Sequence, residues 1–416
     1  MKLYDYQLAG VKFLRNNSRC ILGDQMGLGK TPQVLMALTA DHYPVVVVCP
    51  ASVRMVWEQE AAKWNPEDTT QVIRTGKDKS TGADITIISY DLFGKVKMKR
   101  PRTMVVDEAH YCQSRKTRRT KTISSASHGM NLWLLTGTPL WSRPRSLFPL
   151  LDMVGGWSGS YNEYAKRFCN AGYVMKPIRG RGYTRVWEDS GASNLDELAD
   201  VLRPHIMRRL KAEVLKELPL KTRQIITLPS RISEAERKLG KFDFNSLKGG
   251  QIPPGPTATA IKDTALGKLK AINDHVETLL RSERKIIIFA WNREVMDRIE
   301  DANQSYGIAR IDGSVSQDDR VTAVTEFQSD AERTPRIFLG QTVAAGTGLT
   351  LTAASVVVFA QPCWTPAELE QAEDRAHRIG QTSNVLIQYL VTEGSIEQVM
   401  LTNVLSKMGV AKKILD

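Results

Sequence analysis

Lys30 and Thr31 close the run Gly23-Asp24-Gln25-Met26-Gly27-Leu28-Gly29-Lys30-Thr31, a combination of glycines, an ammonium and a hydroxyl suited to holding a triphosphate. Gly27 and Gly29 let backbone N–H groups turn towards phosphates, and the start of the following helix adds a favourable dipole. Lys30 reaches the outer phosphates, and the Thr31 hydroxyl is a ligand for Mg²⁺. The strict phosphate-loop pattern has glycine where this chain has Asp24, so in isolation the run also reads as a plain glycine-rich turn. A second feature decides. Met104-Val105-Val106 leads into Asp107-Glu108-Ala109-His110, which places two acids at the carboxyl end of a predicted strand, where α/β sheets bind their ligands. Asp107 is the expected Mg²⁺ carboxylate, and Glu108 the group that orients and deprotonates an attacking water. In Tyr4-Asp5-Tyr6-Gln7, the amide of Gln7 suits an adenine edge, although a surface turn uses the same residues. ATP and Mg²⁺ are the ligands this set calls for.

Parallel strands must carry these groups. Val45–Val48, Ile85–Ile88, Met104–Val106 and Leu132–Leu135 are unbroken apolar runs, the pattern of a sheet covered by helices on both faces. The segment Gln33–Leu38 is helix-like, and Pro32 fits a first helical turn. A second set of runs follows: Ile286–Phe289, Ile308–Ile311, Arg336–Leu339, Val356–Phe359 and Val385–Val391. The fold class is therefore α/β with two mainly parallel sheets. At 416 residues the chain suits two cores. The boundary is placed at 224/225, where the strand-like Arg223–Leu228 opens the second lobe. The stretch Gly249–Pro256 is a loop inside it. Residues Gly155–Asn194, rich in Gly, Tyr, Trp and Arg, form an excursion from the first sheet, spanning about 155–215 at its widest.

Composition narrows the class of partner. Lys plus Arg number 57 against 45 Asp plus Glu, a formal +12, which favours a polyanion but equally describes a solvated basic surface. No apolar run approaches the roughly 18 residues of a membrane span, and no apolar signal core follows Met1. A cytoplasmic or nuclear, non-secreted protein is expected. The five cysteines are odd in number and widely spread, so reduced thiols and no structural metal are expected.

The order of motifs resembles the Snf2 family of superfamily 2 helicase-like ATPases along nearly the whole chain. Beyond the phosphate loop and Asp107-Glu108-Ala109-His110, the resemblance rests on Ser52-Val53-Arg54-Met55-Val56-Trp57, Leu134-Leu135-Thr136-Gly137-Thr138-Pro139 and His205-Ile206-Met207-Arg208-Arg209-Leu210. In the second half it takes in Ile311-Asp312-Gly313, Ala344 to Leu351, and Gln371 to Gln381. Trp187 to Leu195 is similar to the HepA-related annealing-helicase branch. The family departs from this chain at Gln25, where glutamate is usual. The resemblance implies two RecA-like lobes and ATP hydrolysis coupled to movement along double-stranded DNA, with annealing or remodelling of branched DNA and a monomeric state. It implies that Gln371 contacts nucleotide and that Arg375 and Arg378 are arginine fingers, on a predicted helix Gln371–Ile379 whose spacing puts all three on one face. That spacing alone equally describes a salt-bridged surface helix. It also implies phosphate contacts at Ser52, Arg54, Ser89, Tyr90, Thr347 and Thr350. The basic stretches Lys95–Arg102 and Arg115–Lys121 are further, weaker candidates. Two other functions share these motifs: a strand-separating DNA or RNA helicase, and a DNA clamp gated by ATP that scarcely hydrolyses it, which Gln25 keeps open.

Overall fold

A computed structural model describes residues 2–137, 144–178, 182–239, 255–345, 349–363 and 365–415. The chain divides into two compact units, one formed by Met1–Val214 with Met408–Asp416 and the other by Leu215–Lys407.

In the first unit, β1 (Arg19–Leu22), β2 (Val45–Cys49), β3 (Thr70–Ile73), β4 (Ile85–Ser89), β5 (Thr103–Val106) and β6 (Asn131–Leu135) are strands of one sheet. β7 (Gly172–Ile178) and β8 (Gly182–Glu188) pair as an antiparallel hairpin, and the two-residue β9 (Ile206–Met207) returns to the sheet. The sheet order is β3-β4-β2-β5-β6-β1-β9, with every pair parallel. Alternation along each strand builds two cores. Val46, Val48, Met104, Val106, Leu132 and Leu134 pack on one side with Ile123, Tyr164, Phe168 and Leu198. Val45, Val47, Ile85, Ile87, Val105 and Trp133 pack on the other with Leu14, Val34 and Trp57. Each such side chain contributes roughly 1.5–3 kcal/mol by leaving water, and burial on both faces explains why these strands read as solid apolar runs.

The second unit repeats the plan. β10 (Lys221–Leu228), β11 (Ile286–Ala290), β12 (Ile308–Ile311), β13 (Ile337–Gln341), β14 (Val356–Phe359) and β15 (Val385–Thr392) form an all-parallel sheet in the order β10-β15-β14-β11-β13-β12. Helices Leu269–Ser282 and Arg293–Asn303 bury Ile272, Val276, Met296 and Ile299 against it.

Several details differ from the sequence reading. β1 and β3 had no strong apolar signature because they are short and partly polar, and β9 because it is only two residues long. β10 begins at Lys221 and pairs along its whole length with β15. The excursion contains a capped helix, Tyr161–Phe168, as well as the hairpin. The expected helix Gln371–Ile379 is corrected: the helix is Pro366–Glu373, capped by the Thr365 side chain on the Glu368 amide, and the chain then runs in turns. The amides of Arg375 and Ala376 donate to the carbonyls of Ala372 and Glu373, three residues back, so the regular spiral has given way to tighter turns there. Most of the Gly249–Pro256 loop, 249–254, lies outside the described residues. Among the described residues no helix is long and apolar enough to cross a membrane, no group of three or more His, Cys, Asp or Glu is placed to hold a metal ion, and all five cysteines are free and buried.

Candidate functional site

Parallel strands release their carboxyl ends on one rim, and in the first unit that rim gathers the polar residues. The phosphate loop follows β1, Ser52 and Arg54 follow β2, Ser89 closes β4, Asp107 and Glu108 follow β5, and Thr136 and Gly137 follow β6. Gly27 and Gly29 have φ of 82° and 73°, the left-handed conformation that a side chain disfavours. A Cβ on Gly29 would also stand 2.4 Å from Gln7 Nε2, and one on Gly137 would stand 2.7 Å from Lys30 Nζ. Closeness on both sides makes the loop a cradle that only glycine leaves open.

The loop is held from the amino-terminal helix and from β9. Gln7, buried on helix Asp5–Asn16, donates from Nε2 to the Leu28 carbonyl at 3.1 Å and accepts from the Tyr4 amide. Tyr6 donates its hydroxyl to the same carbonyl. From the other side, the Gly23 amide donates to Met207 O at 2.7 Å and the Gln25 amide to Arg209 O at 3.0 Å. Asp24, fully buried, accepts from Arg209 Nε at 2.9 Å and from Gln33 Nε2 at 3.1 Å, and a second Arg209 nitrogen pairs with it. Gln25 turns its Oε1 to the Lys211 amide at 2.8 Å, so the position where glutamate is usual anchors the loop to the segment after β9. Arg209 and Gln33 hold the loop through Asp24, a structural role that the sequence reading did not assign to them. The signal was present, since a buried acid in a phosphate loop requires a cation, and Arg208-Arg209 is a compact source of one in a motif already singled out.

Lys30 donates from Nζ to the Asp24 carbonyl at 2.9 Å. Across the rim, Asp107 accepts from Trp57 Nε1 at 2.8 Å and from the Glu108 amide at 2.9 Å. Burial, then the neighbouring Glu108, push the Asp107 carboxyl up to about 6, against the opposing pull of Trp57 and Lys30. That excess of buried negative charge is what a divalent cation would relieve at Asp107. Glu108 has φ of 51°, and its Oε2 lies 3.2 Å from His110 Nδ1. Tyr90, buried, donates its hydroxyl to the Asp107 carbonyl at 2.7 Å and thereby fixes the turn that carries both acids.

The candidate DNA contacts are unevenly placed. Ser89 and Tyr90 are buried, while Ser52 is half-buried. Arg54 donates to the carbonyl of Ile73 at 2.6 Å and to that of Ala51 at 3.2 Å. Thr350 is exposed, whereas Thr347, like Thr138 and Pro139, lies outside the described residues.

In the second unit, both arginines converge on one carbonyl. Arg375 Nη1 donates to Leu349 O at 3.1 Å and Arg378 Nη1 at 2.8 Å, and Arg378 also reaches Thr350 Oγ1 at 3.0 Å. Gln371 is buried, and its backbone carbonyl accepts from Arg375 Nε. Beneath them Glu373 takes Lys221 Nζ at 2.9 Å and a bidentate Arg223 at 2.9 and 2.7 Å, with the Tyr389 hydroxyl as a further donor. Burial acts to raise its carboxyl, yet Lys221 and Arg223 hold it below the ordinary range.

A phosphate-loop nucleotide hydrolase core is the class that this fold and rim define. Residues 6–267 match the SNF2-related domain and residues 267–380 the helicase conserved C-terminal domain. The chain belongs to the Snf2 family of superfamily 2 helicase-like ATPases, as its motif order implied. It is 35% identical over 427 residues to the DNA annealing helicase and endonuclease ZRANB3 of Mus musculus, covering 96% of this chain and 39% of that protein. It is 34% identical over 431 residues to the SWI/SNF-related matrix-associated actin-dependent regulator of chromatin subfamily A-like protein 1 of Xenopus tropicalis, covering 98% of this chain and 44% of that protein. The chain thus spans less than half the length of these curated relatives. The Sulfolobus solfataricus SWI2/SNF2 ATPase core in complex with dsDNA aligns with a TM-score of 0.46 at 23% identity, covering 100% of this chain and 93% of that one.

Proposed function

We propose that this chain is a DNA-stimulated ATPase that couples hydrolysis to translocation along double-stranded DNA and acts on branched DNA by annealing or remodelling it. The observation that carries the reading is the meeting on one rim of Lys30, Thr31, Asp107 and Glu108, in a chain whose relatives include a protein named a DNA annealing helicase. Glu108 takes the proton of the attacking water, Lys30 and the loop amides bind the outer phosphates, and Thr31 with Asp107 hold Mg²⁺, which neutralises phosphate charge. Arg375 and Arg378 supply positive charge to the γ-phosphate during turnover, Gln7 and Gln371 contact the nucleotide, and Ser52, Arg54, Ser89, Tyr90, Thr347 and Thr350 track DNA phosphates. Phosphate contacts read no base sequence, so DNA form governs stimulation and binding falls steeply with salt. The protein works as a monomer in the cytoplasm or nucleus.

The test is ATP turnover by purified protein with blunt duplex, single-stranded and forked DNA and with RNA, beside Glu108→Gln. Stimulation by duplex that vanishes in the variant is expected. Absence of turnover at every DNA concentration overturns the reading. Triplex displacement without fork unwinding separates a duplex translocase from a strand-separating helicase.

A further inference from the structure

We infer that one face of the β7–β8 hairpin binds unpaired nucleic-acid bases, such as those exposed where a DNA duplex branches. The inference rests on the DNA-directed reading above and adds to it a second element that recognises single strands. Register defines the face: Tyr173 lies opposite Trp187, Met175 opposite Arg185, and Pro177 opposite Tyr183, so these six share one side of the ribbon. Tyr173, Met175 and Tyr183 are 59%, 62% and 69% exposed. Apolar side chains this open, gathered on one small face, mark a contact surface.

The face is rigid at its base and open beyond it. A two-stranded ribbon is marginal in water without support. Here Trp187 and Ala171 pack against the core, and Asp189 accepts from Arg145 Nη1 at 2.9 Å and from the Tyr161 hydroxyl at 2.6 Å. Arg115 stacks over the Tyr161 ring at 4.0 Å, which joins the hairpin root to the segment that follows the Asp107–His110 motif.

Charge selects the occupant. Along its two strands the hairpin carries Lys176 and Arg185 against Glu188 alone. That one acid is taken by Lys176 at 2.6 Å on the opposite face. Arg185 lies 4.1 Å over the Tyr173 ring, and among the described residues no carboxylate pairs with it. A tyrosine ring, a stacked guanidinium and a second tyrosine offer planar surfaces in a cationic field, which is how proteins hold single strands. Paired bases are stacked on one another and expose their edges but not their faces, so a duplex offers the tyrosine rings nothing to stack on.

The experiment measures fluorescence anisotropy, without nucleotide, for a blunt duplex, a single-stranded oligonucleotide and a fork with unpaired arms. It compares the parent chain with Tyr173→Ala/Tyr183→Ala, Arg185→Ala and Tyr173→Phe/Tyr183→Phe, with thermal unfolding establishing that each variant is folded. The double alanine variant is expected to lose about 10- to 100-fold in affinity for the fork and the single strand. The phenylalanine pair restores it, and blunt-duplex binding and duplex-stimulated turnover stay at parental levels. An equal loss on blunt duplex reduces the face to a phosphate contact and overturns the proposal. Unchanged affinity for all three probes assigns the face to a protein partner and overturns it as well. Parent protein that binds forks through these residues yet hydrolyses no ATP refutes the translocase reading and leaves the hairpin assignment standing.

Discussion

Two buried acidic sites, one in each unit, are treated in opposite ways. In the first, Asp107 and Glu108 stand side by side, Lys30 is directed to a backbone carbonyl, and Asp107 is left with its carboxyl raised to about 6. In the second, Glu373 is surrounded by Lys221, Arg223 and Tyr389, while Arg375 and Arg378 are directed to the neutral carbonyl of Leu349. The balanced Glu373 acts as scaffold, whereas the raised Asp107 carboxyl suits a cation. The chemistry proposed above engages the acids of the first unit and the arginines of the second.

The largest expected effect removes one of those arginines. Arg378→Ala lowers DNA-stimulated turnover by about 10³ to 10⁵ and leaves unfolding of the second unit unchanged; near-parental turnover in a steady-state assay removes Arg378 from the engine. Next, Glu108→Gln keeps ATP binding but slows turnover by about 10² to 10⁴, to be read by comparing nucleotide affinity with kcat. Glu373→Gln attacks the balanced acid and should behave in the reverse manner. Leaving Lys221 and Arg223 with a neutral partner costs about 3–5 kcal/mol of stability, seen in denaturant unfolding, while ATP affinity of the first unit persists.

The smallest effect sharpens the contrast by pH. Burial, then Asp374, push the Glu370 carboxyl up to about 7. A raised value means that the folded chain keeps this proton over a range in which the unfolded chain has released it. The associated stability is complete below the ordinary glutamate value and is lost as pH rises through 7. Glu370→Gln should therefore melt with the parent at about pH 4 and higher than it at about pH 8, by a couple of degrees. A difference of the same size at both values refutes the assignment.

Much of this was legible in the residues. Val45–Val48 and Ile286–Phe289 announced buried parallel strands because helices cover both sides of each sheet, and the two motifs announced that Gly27, Gly29, Lys30, Asp107 and Glu108 stand after strands of one sheet. What stayed hidden depended on distant partners. Asp24 looked like a flaw in a glycine motif until Arg209 was found beside it, and Gln25 like a lost charge until its oxygen met the Lys211 amide. The helix end at Glu373 was illegible because the charged run after it reads as a solvated helical face, while its first two acids turn inward to Lys221. Tyr90 carried no sequence signal for its structural role, in which its hydroxyl donates to the Asp107 carbonyl.

β9 is only two residues long, yet it seats itself beside β1 and delivers the arginine that neutralises Asp24. The phosphate loop therefore cannot take its shape from the local chain. On a ribosome, residues 23–31 emerge well before their counter-charge at 209, and the loop must wait, uncompensated, through the making of the whole first sheet. A nascent chain arrested before residue 205 should bury its strands and still hold nucleotide poorly, so that competence for ATP arrives late, as a single closing event.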